Sequence, residues 1–193
     1  MPSDIDMSSN ALILIGDDPI ASFSDPGAGA QAAANLYPET YRQVLSSHPW
    51  SFALKEQLLN QLAAQPDDLT NYKFAYQLPS DMIRLWAIFP HSDYTIVGGL
   101  LYSNANELLG RYVFEQDETQ LPPHFTKALE YRLASDFAQL ITESTSKSEF
   151  FEKKYLQAIA MARTIDSQQK PQVPIIDSPF VDVRFGGLSR SGF

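Results

Sequence analysis

Two segments constrain this chain more than any others. His48-Pro49-Trp50-Ser51-Phe52-Ala53 sets a proline against the largest side chain, so a helix arriving from the N-terminal side stops there and leaves Trp50 and Phe52 in need of cover. Further on, Tyr72, Phe74 and Tyr76 alternate with Lys73, Ala75 and Gln77, the period of a half-buried strand. Leu78-Pro79-Ser80-Asp81 then breaks the alternation, and a fresh apolar run from Met82 to Phe89 carries Trp86. Neither spacing suits a catalytic centre. Pro49, Trp50, Phe52, Tyr76, Leu78, Pro79 and Trp86 are therefore read as a packing motif that pins two layers of structure together.

Hydrophobic residues make up 44% of the 193, enough for one ordinary core. Charged residues are only 19%, below the usual quarter, and aromatics reach 12%. A poorly charged, aromatic-rich surface favours burial against partners. The net charge is −9, with 14 basic residues scattered among 23 acidic ones, which argues against tight binding of nucleic-acid phosphates. It leaves room for an acidic surface past which DNA slides without sticking. The chain has no cysteine, which excludes disulfides and thiolate metal sites. No segment approaches the ~18 apolar residues of a membrane span, and Ala11 to Ile15 follows Asp4 and Asp6 rather than a basic leader. The expectation is a protein made in the cytoplasm, used there or assembled there into something larger, with no membrane partner.

The pattern predicts a first helix from Ser3 or Asp4 to Ile15, capped at its start and stopped by Gly16. The segment to Gly29, Ser24-Asp25-Pro26-Gly27-Ala28-Gly29, reads as loop by composition. A second helix spans Ala28 to Ser47, with Leu36, Tyr37, Tyr41, Val44 and Leu45 as its apolar stripe; Pro38 either kinks it or marks its first turn. Trp50 to Leu54 reads as extended. From there to Leu62 helical spacing competes with a turn at Pro66-Asp67-Asp68, and the segment stays undecided. After the strands at Tyr72 and Met82, Tyr94 to Val97 and Leu100 to Tyr102 form a hairpin about Gly98-Gly99. Leu108-Leu109 and Arg111 to Glu115 supply the last strand or strands. A third helix follows Leu121-Pro122-Pro123 to about Ile141, with Phe125, Leu129, Leu133, Phe137 and Leu140 inward. A fourth runs from about Ser146 to Ile165, with Phe150, Phe151, Tyr155, Ile159 and Ala162 inward, antiparallel to the third across Ser144-Thr145-Ser146.

The reading is thus a mainly α, α+β chain. Residues 1–166 form a bundle of about four helices with a small antiparallel β unit inserted at about 70–116, between the second and third helices. Residues 167–193 form a linker and an extended C-terminal arm. The arm has no helical pattern yet is apolar and aromatic, which suits docking on a partner.

Little in the sequence points to chemistry. His48, His91 and His124 lack ligand spacing to one another or to a carboxylate, and His48 and His91 read as turn residues beside prolines. No GxSxG motif is present. Gly27-Ala28-Gly29-Ala30 lacks the third glycine and the preceding strand of a dinucleotide loop. Asp17-Asp18, Asp67-Asp68 and Asp117-Glu118 suit caps and turns, with a weak surface cation site at most. Trp50 and Trp86 suit packing in a core or an interface. Arg84 and Arg184 sit amid apolar residues, which suits partly buried ion pairs. No catalytic residue, metal ligand or cofactor site is expected.

Several pieces, in order, resemble the head-to-tail adaptor proteins of tailed bacteriophages, the tail tubular protein A family. They are Leu14-Ile15-Gly16-Asp17-Asp18-Pro19-Ile20, Tyr41-Arg42-Gln43-Val44-Leu45 leading to His48-Pro49-Trp50-Ser51-Phe52-Ala53, Tyr76-Gln77-Leu78-Pro79-Ser80-Asp81, and the helix Phe125 to Ala134. The resemblance covers most of the chain. It implies a structural virion protein, not an enzyme, assembled in the host cytoplasm as a ring of about twelve copies under the portal protein. It implies as further partners the next tail component (nozzle, stopper or tail terminator) and genomic DNA passing through the channel without specific binding. By position and composition it implies that Pro179, Phe180, Val181, Val183, Arg184 and Phe185 are a portal-binding arm. The alternatives are a stopper or tail-completion protein of the same connector and, in a different class, a small acidic enzyme.

Overall fold

The structure is a computed structural model and describes residues 2–63 and 71–169. Asp67-Asp68, the turn at Pro66 and the whole arm from Pro179 to Phe185 lie outside the described residues. Within them the chain is a four-helix bundle with an antiparallel β unit between the second and third helices.

Helix α1 spans Asp4–Ile15. Ser3 and Asp6 close a capping box at its start, and Gly16 ends it in the left-handed region at φ 89°, where a Cβ would be strained. Helix α2 spans Ala28–Ser46 and contains Pro38 in its interior, where the ring cannot donate to the carbonyl of Ala34. Tight packing carries α2 across that defect: Ala33, Tyr37, Tyr41, Val44 and Leu45 are all buried. Helix α3 spans Pro123–Ile141 and helix α4 spans Thr145–Gln168. α3 is the central member and packs against each of the other three. Phe125, Leu129, Leu133 and Phe137 on α3 have no exposed surface.

Two sequence expectations fail here for a common reason. Leu140 and Phe150, placed inward by helical spacing, are 59% and 54% exposed. Both lie near the end of the bundle where α3 turns into α4, so the inner stripe runs on past its cover. α4 also continues through Ser167 and Gln168, two residues that composition gave to a linker.

The β part begins well before residue 70. A short 3-10 turn at Ser51–Ala53 leads into β1 (Leu54–Leu58), which replaces both the extended reading of Trp50 to Leu54 and the helical option beyond it. The remaining strands are β2 (Asn60–Gln61), β3 (Phe74–Gln77), β4 (Met82–Phe89), β5 (Tyr94–Val97), β6 (Leu100–Ser103) and β7 (Leu109–Phe114). They form two antiparallel sheets, ordered β1-β7-β4 and β2-β3-β6-β5. In the first, Leu54 pairs with Val113 and Phe89 with Leu109. In the second, Phe74 pairs with Ser103, and β5 turns through Gly98-Gly99 so that Val97 pairs with Leu100. The chain crosses between the sheets at Leu59, whose amide donates to the carbonyl of Leu108 at 2.8 Å.

Leu59, Tyr76, Ile88, Leu101 and Leu108 fill a small core of this unit, separate from the larger core of the bundle. Gly110 on β7 is required there: a Cβ would stand 3.0 Å from Leu59 Cδ2. β7, β4 and β1 also close the bundle, through Val113 within its core and Ile83 and Leu54 against it.

Candidate functional site

The two halves of the packing motif do different jobs. Trp50 is fully buried and lies edge-on to Phe125 of α3 at 5.2 Å between ring centroids; Phe52 meets the same ring at 5.2 Å. Pro49 is buried beside them. Trp50 Nε1 reaches the carbonyl of Val44 at 3.5 Å. This half pins the end of α2 and the start of the β unit to α3, as the sequence predicts. Tyr76 belongs instead to the second core, where its hydroxyl donates to the carbonyl of Ala105 and Leu78 packs at the edge. Pro79 lies beside a recess of about 410 Å³ between residues 57–60 and 77–81, lined with mostly polar surface. Trp86 is not in a core: it is 42% exposed on β4, an edge strand of its sheet, which leaves the interface alternative of its packing reading. Arg84 and Trp86 are two residues apart on β4, so the pleat puts both on one face, and that face is exposed.

Arg84 forms none of the ion pairs present among the described residues. Its guanidinium donates to the carbonyl of Ser46 at 3.1 Å, at the last turn of α2, and stands 5.3 Å from the Trp86 ring. A cation over an aromatic face and a free helix-end carbonyl give it two partners without a carboxylate. Beside it a groove of about 570 Å³ runs between α2 and β4, lined by Pro38, Glu39, Arg42, Gln43, Ile83 and Arg84. Arg42 pairs with Glu115 at 3.0 Å across it, which ties α2 to the end of β7. The groove is open and mixed in polarity, with no convergent set of acid, base and nucleophile.

The cluster that sequence reading missed joins residues over a hundred positions apart. Asp166, near the end of α4, is 1% exposed. It accepts from the Ser51 amide at 2.9 Å and from the Ser51 hydroxyl at 2.5 Å, with His48 Nε2 3.8 Å away. Serine, histidine and aspartate together invite comparison with a hydrolytic triad. The order is different, because Ser51 donates straight to the carboxylate, whereas in a triad the imidazole stands between them. What the geometry does accomplish is capping. Asp166 satisfies the free amide at the start of the 3-10 turn and so fixes where the chain leaves the Pro49-Trp50 break. His48 lies edge-on to Trp50 at 4.8 Å and completes the lid over the ring.

The other singled-out groups have local structural work. Asp117 accepts from the Thr119 amide and is held below the ordinary carboxylate range by that hydroxyl and amide. Gly29 lets α2 approach α1, since a Cβ there would lie 2.8 Å from Asp17 Oδ2. Burial pushes the hydroxyls of Tyr37 and Tyr41 far above their usual range, and Tyr41 donates to the carbonyl of Gln116. Burial also raises Asp136, which Arg132 at 3.2 Å only partly offsets. Among the described residues no three His, Asp or Glu side chains gather closely enough to hold a metal ion, and no helix is long and apolar enough to cross a membrane.

What the surface does offer is apolar side chains in solvent. Ile13 and Leu14 on α1, Phe150, Leu156 and Met161 on α4, and Tyr94, Ile96 and Val97 on the edge strand β5 are all exposed. These exposed apolar side chains lie on two helices and on an open sheet edge. No family model matches the chain, and no curated protein matches it.

Proposed function

We propose that this chain is a structural joining protein of a phage virion, a head-to-tail adaptor whose copies form a ring under the portal, extend the DNA channel and connect head to tail. The observation that carries the reading is the architecture: a four-helix bundle with an antiparallel unit inserted between α2 and α3, and large apolar side chains left in solvent on both outer helices. The four sequence pieces that resemble the adaptor family fall, in order, on the end of α1, the end of α2 with its Pro-Trp break, the β3–β4 connection and α3. The net charge of −9 fits a channel past which DNA slides, since like charge gives phosphates nothing to hold. The arm from Pro179 to Phe185 is proposed to clasp the portal.

The test is native mass spectrometry of the full chain alone and mixed with the portal ring encoded beside it. A complex with about twelve copies on the portal, lost when Ser178 to Phe193 are deleted while the helical circular dichroism stays, supports the adaptor reading. No association at micromolar concentrations sinks it.

A second reading is a stopper or tail-completion protein of the same connector. The observation that favours it is the β unit's own core around Tyr76 and Leu101, which makes that unit more than an ornament on the bundle. Binding to an already assembled adaptor ring, without binding to the bare portal, would select it.

A further inference from the structure

β4 is an open edge of the sheet ordered β1-β7-β4. Its outer side presents backbone amides and carbonyls with no neighbouring strand among the described residues. Arg84 and Trp86 lie exposed along it, and the groove of about 570 Å³ leaves room between this strand and α2 beside Ile83 and Arg84. Arg84 holds the Ser46 carbonyl and the Trp86 ring, and it takes part in none of the ion pairs among the described residues. A guanidinium fork with five N–H donors has capacity left there for a carboxylate. The other edges lack this feature. β5 carries no charge, and Lys55 and Glu56 of β1 are already paired with Asp81 and Arg111.

The sequence beyond residue 169 supplies a segment that matches. Phe180 to Phe185 is bounded by Pro179 and Gly186-Gly187, the punctuation of a strand. Within it Val181, Val183 and Phe185 alternate with Asp182 and Arg184. β4 has the same alternation, with Ile83, Leu85 and Ala87 half-buried and Arg84 and Trp86 exposed. Laid alongside in parallel with Asp182 opposite Arg84, Val181 and Val183 meet Ile83 and Leu85, and the Arg184 guanidinium meets the Trp86 ring.

The arm also starts at the right end of the sheet. Gln169 Oε1 lies 3.3 Å from Ser51 Oγ, just before β1. Leu54 pairs with Val113, and Val113 with Arg84, so β1 and β4 begin at the same end. They are ~10 Å apart, two strand spacings. Residues 170–181 separate Gln169 from Asp182 and span up to ~40 Å when extended. The arm therefore reaches the start of β4 from its own body.

We infer that Phe180 to Phe185 docks on the open edge of β4 in the same copy, as a parallel strand added to the first sheet, with the Asp182 carboxylate on Arg84 and the Arg184 guanidinium on Trp86. The inference goes beyond the joining reading and does not rest on it. A portal that takes the arm has to displace it from this seat.

Acrylamide quenching of the full chain reads Trp86, because Trp50 has no exposed surface. Deleting Ser178 to Phe193 should raise the quenching constant about threefold, since a tethered segment at high effective concentration keeps its seat occupied. Asp182→Arg should do the same, and adding Arg84→Asp to that chain should restore the protection. Asp182→Arg changes only the arm, so it leaves the body folded; circular dichroism checks the Arg84 variant. The chain has no cysteine, so introduced thiols have no competitors. Leu85→Cys/Val183→Cys should close a disulfide within one copy about tenfold faster than Leu85→Cys/Ser189→Cys, whose thiol is tethered alike but out of register. Quenching unchanged by the deletion, a charge swap that restores nothing, or a disulfide that forms only between copies would each overturn the inference. A portal complex from a chain in which the Leu85→Cys/Val183→Cys pair never closes removes this contact and leaves the adaptor reading standing. Closure without portal binding keeps the contact and removes the adaptor reading.

Discussion

Trp50 and Trp86 make an internally controlled pair, because the chain has only these two tryptophans and the structure gives them opposite environments. Trp50 has no exposed surface and touches Phe52, Phe125 and His48. Trp86 is 42% exposed and rests against Arg84. A fully buried tryptophan removes ~200 Å² from water, or ~5 kcal/mol at ~25 cal/mol per Å². That is an upper bound, since a real unfolded chain already hides part of the area. Measured large-to-small core substitutions give ~3–5 kcal/mol for Trp→Ala. Trp50→Ala should therefore cost ~4 kcal/mol, a large part of the ~5–15 kcal/mol that holds a domain of this size. At ~2–4 °C per kcal/mol, the midpoint should fall by ~8–16 °C. Trp86→Ala should cost ~1 kcal/mol or less, as for surface positions outside a packed core. The assay is guanidinium and thermal unfolding followed by circular dichroism at 222 nm, which reports all four helices and needs neither indole. Equal losses for the two variants would refute the assignment of Trp50 as the pin between bundle and β unit.

Further outcomes follow from other contacts. Asp166→Ala leaves the buried Ser51 amide without its acceptor and should cost ~2 kcal/mol in urea unfolding, whereas Ser51→Ala, which keeps the amide bond to Asp166, should cost ~1 kcal/mol; the reverse order would contradict the capping role. Gly110→Ala drives a methyl to 3.0 Å from Leu59 and should destabilise the chain by ~1–2 kcal/mol, with Leu59→Ala in the same chain recovering part of that loss; full additivity of the two would argue against the contact. Asp81 is held below its ordinary value of 3.8, first by the Lys55 ammonium at 2.7 Å and then by the Tyr112 hydroxyl at 3.1 Å. A depressed carboxylate contributes stability above its unfolded pKa and loses it as pH falls through the folded one. Wild type should thus exceed Asp81→Asn by ~0.5 kcal/mol at neutral pH, an exposed-pair magnitude, and the gap should close below pH 3.8; a gap that widens in acid would reverse the sign.

How much of this was legible in the sequence depends on how local the physics is. The limits of α1 are written in Ser3, Asp6 and Gly16, because a capping box and a left-handed glycine act within a few residues. Pro122-Pro123 and Gly98-Gly99 announce the start of α3 and the turn between β5 and β6 for the same reason. The inward faces of α2 and α3 follow from a 3.6-residue period, which needs no knowledge of the neighbour.

Periodicity tells which way a face points and not how far its cover extends, so Leu140 and Phe150 lie exposed on faces that were read as inner. β1 has an almost wholly exposed pattern with no alternation to betray it; it is a strand because β7, some fifty residues later, supplies its hydrogen-bond partners. Trp86 suits a core or an interface by its size, and it lies on the same exposed face of β4 as Arg84, which nothing in the sequence marks as uncovered. The division of seven strands into two sheets, and the meeting of Ser51 with Asp166, depend on long-range pairing that no window of sequence contains. By itself the sequence determined the four helices and most of the strands, the capped ends, the acidic balance and the need for two apolar layers. Tertiary structure alone decided which aromatic rings those layers bury and which they leave for a partner, because burial is a property of the surfaces that meet and not of the residue that is hidden.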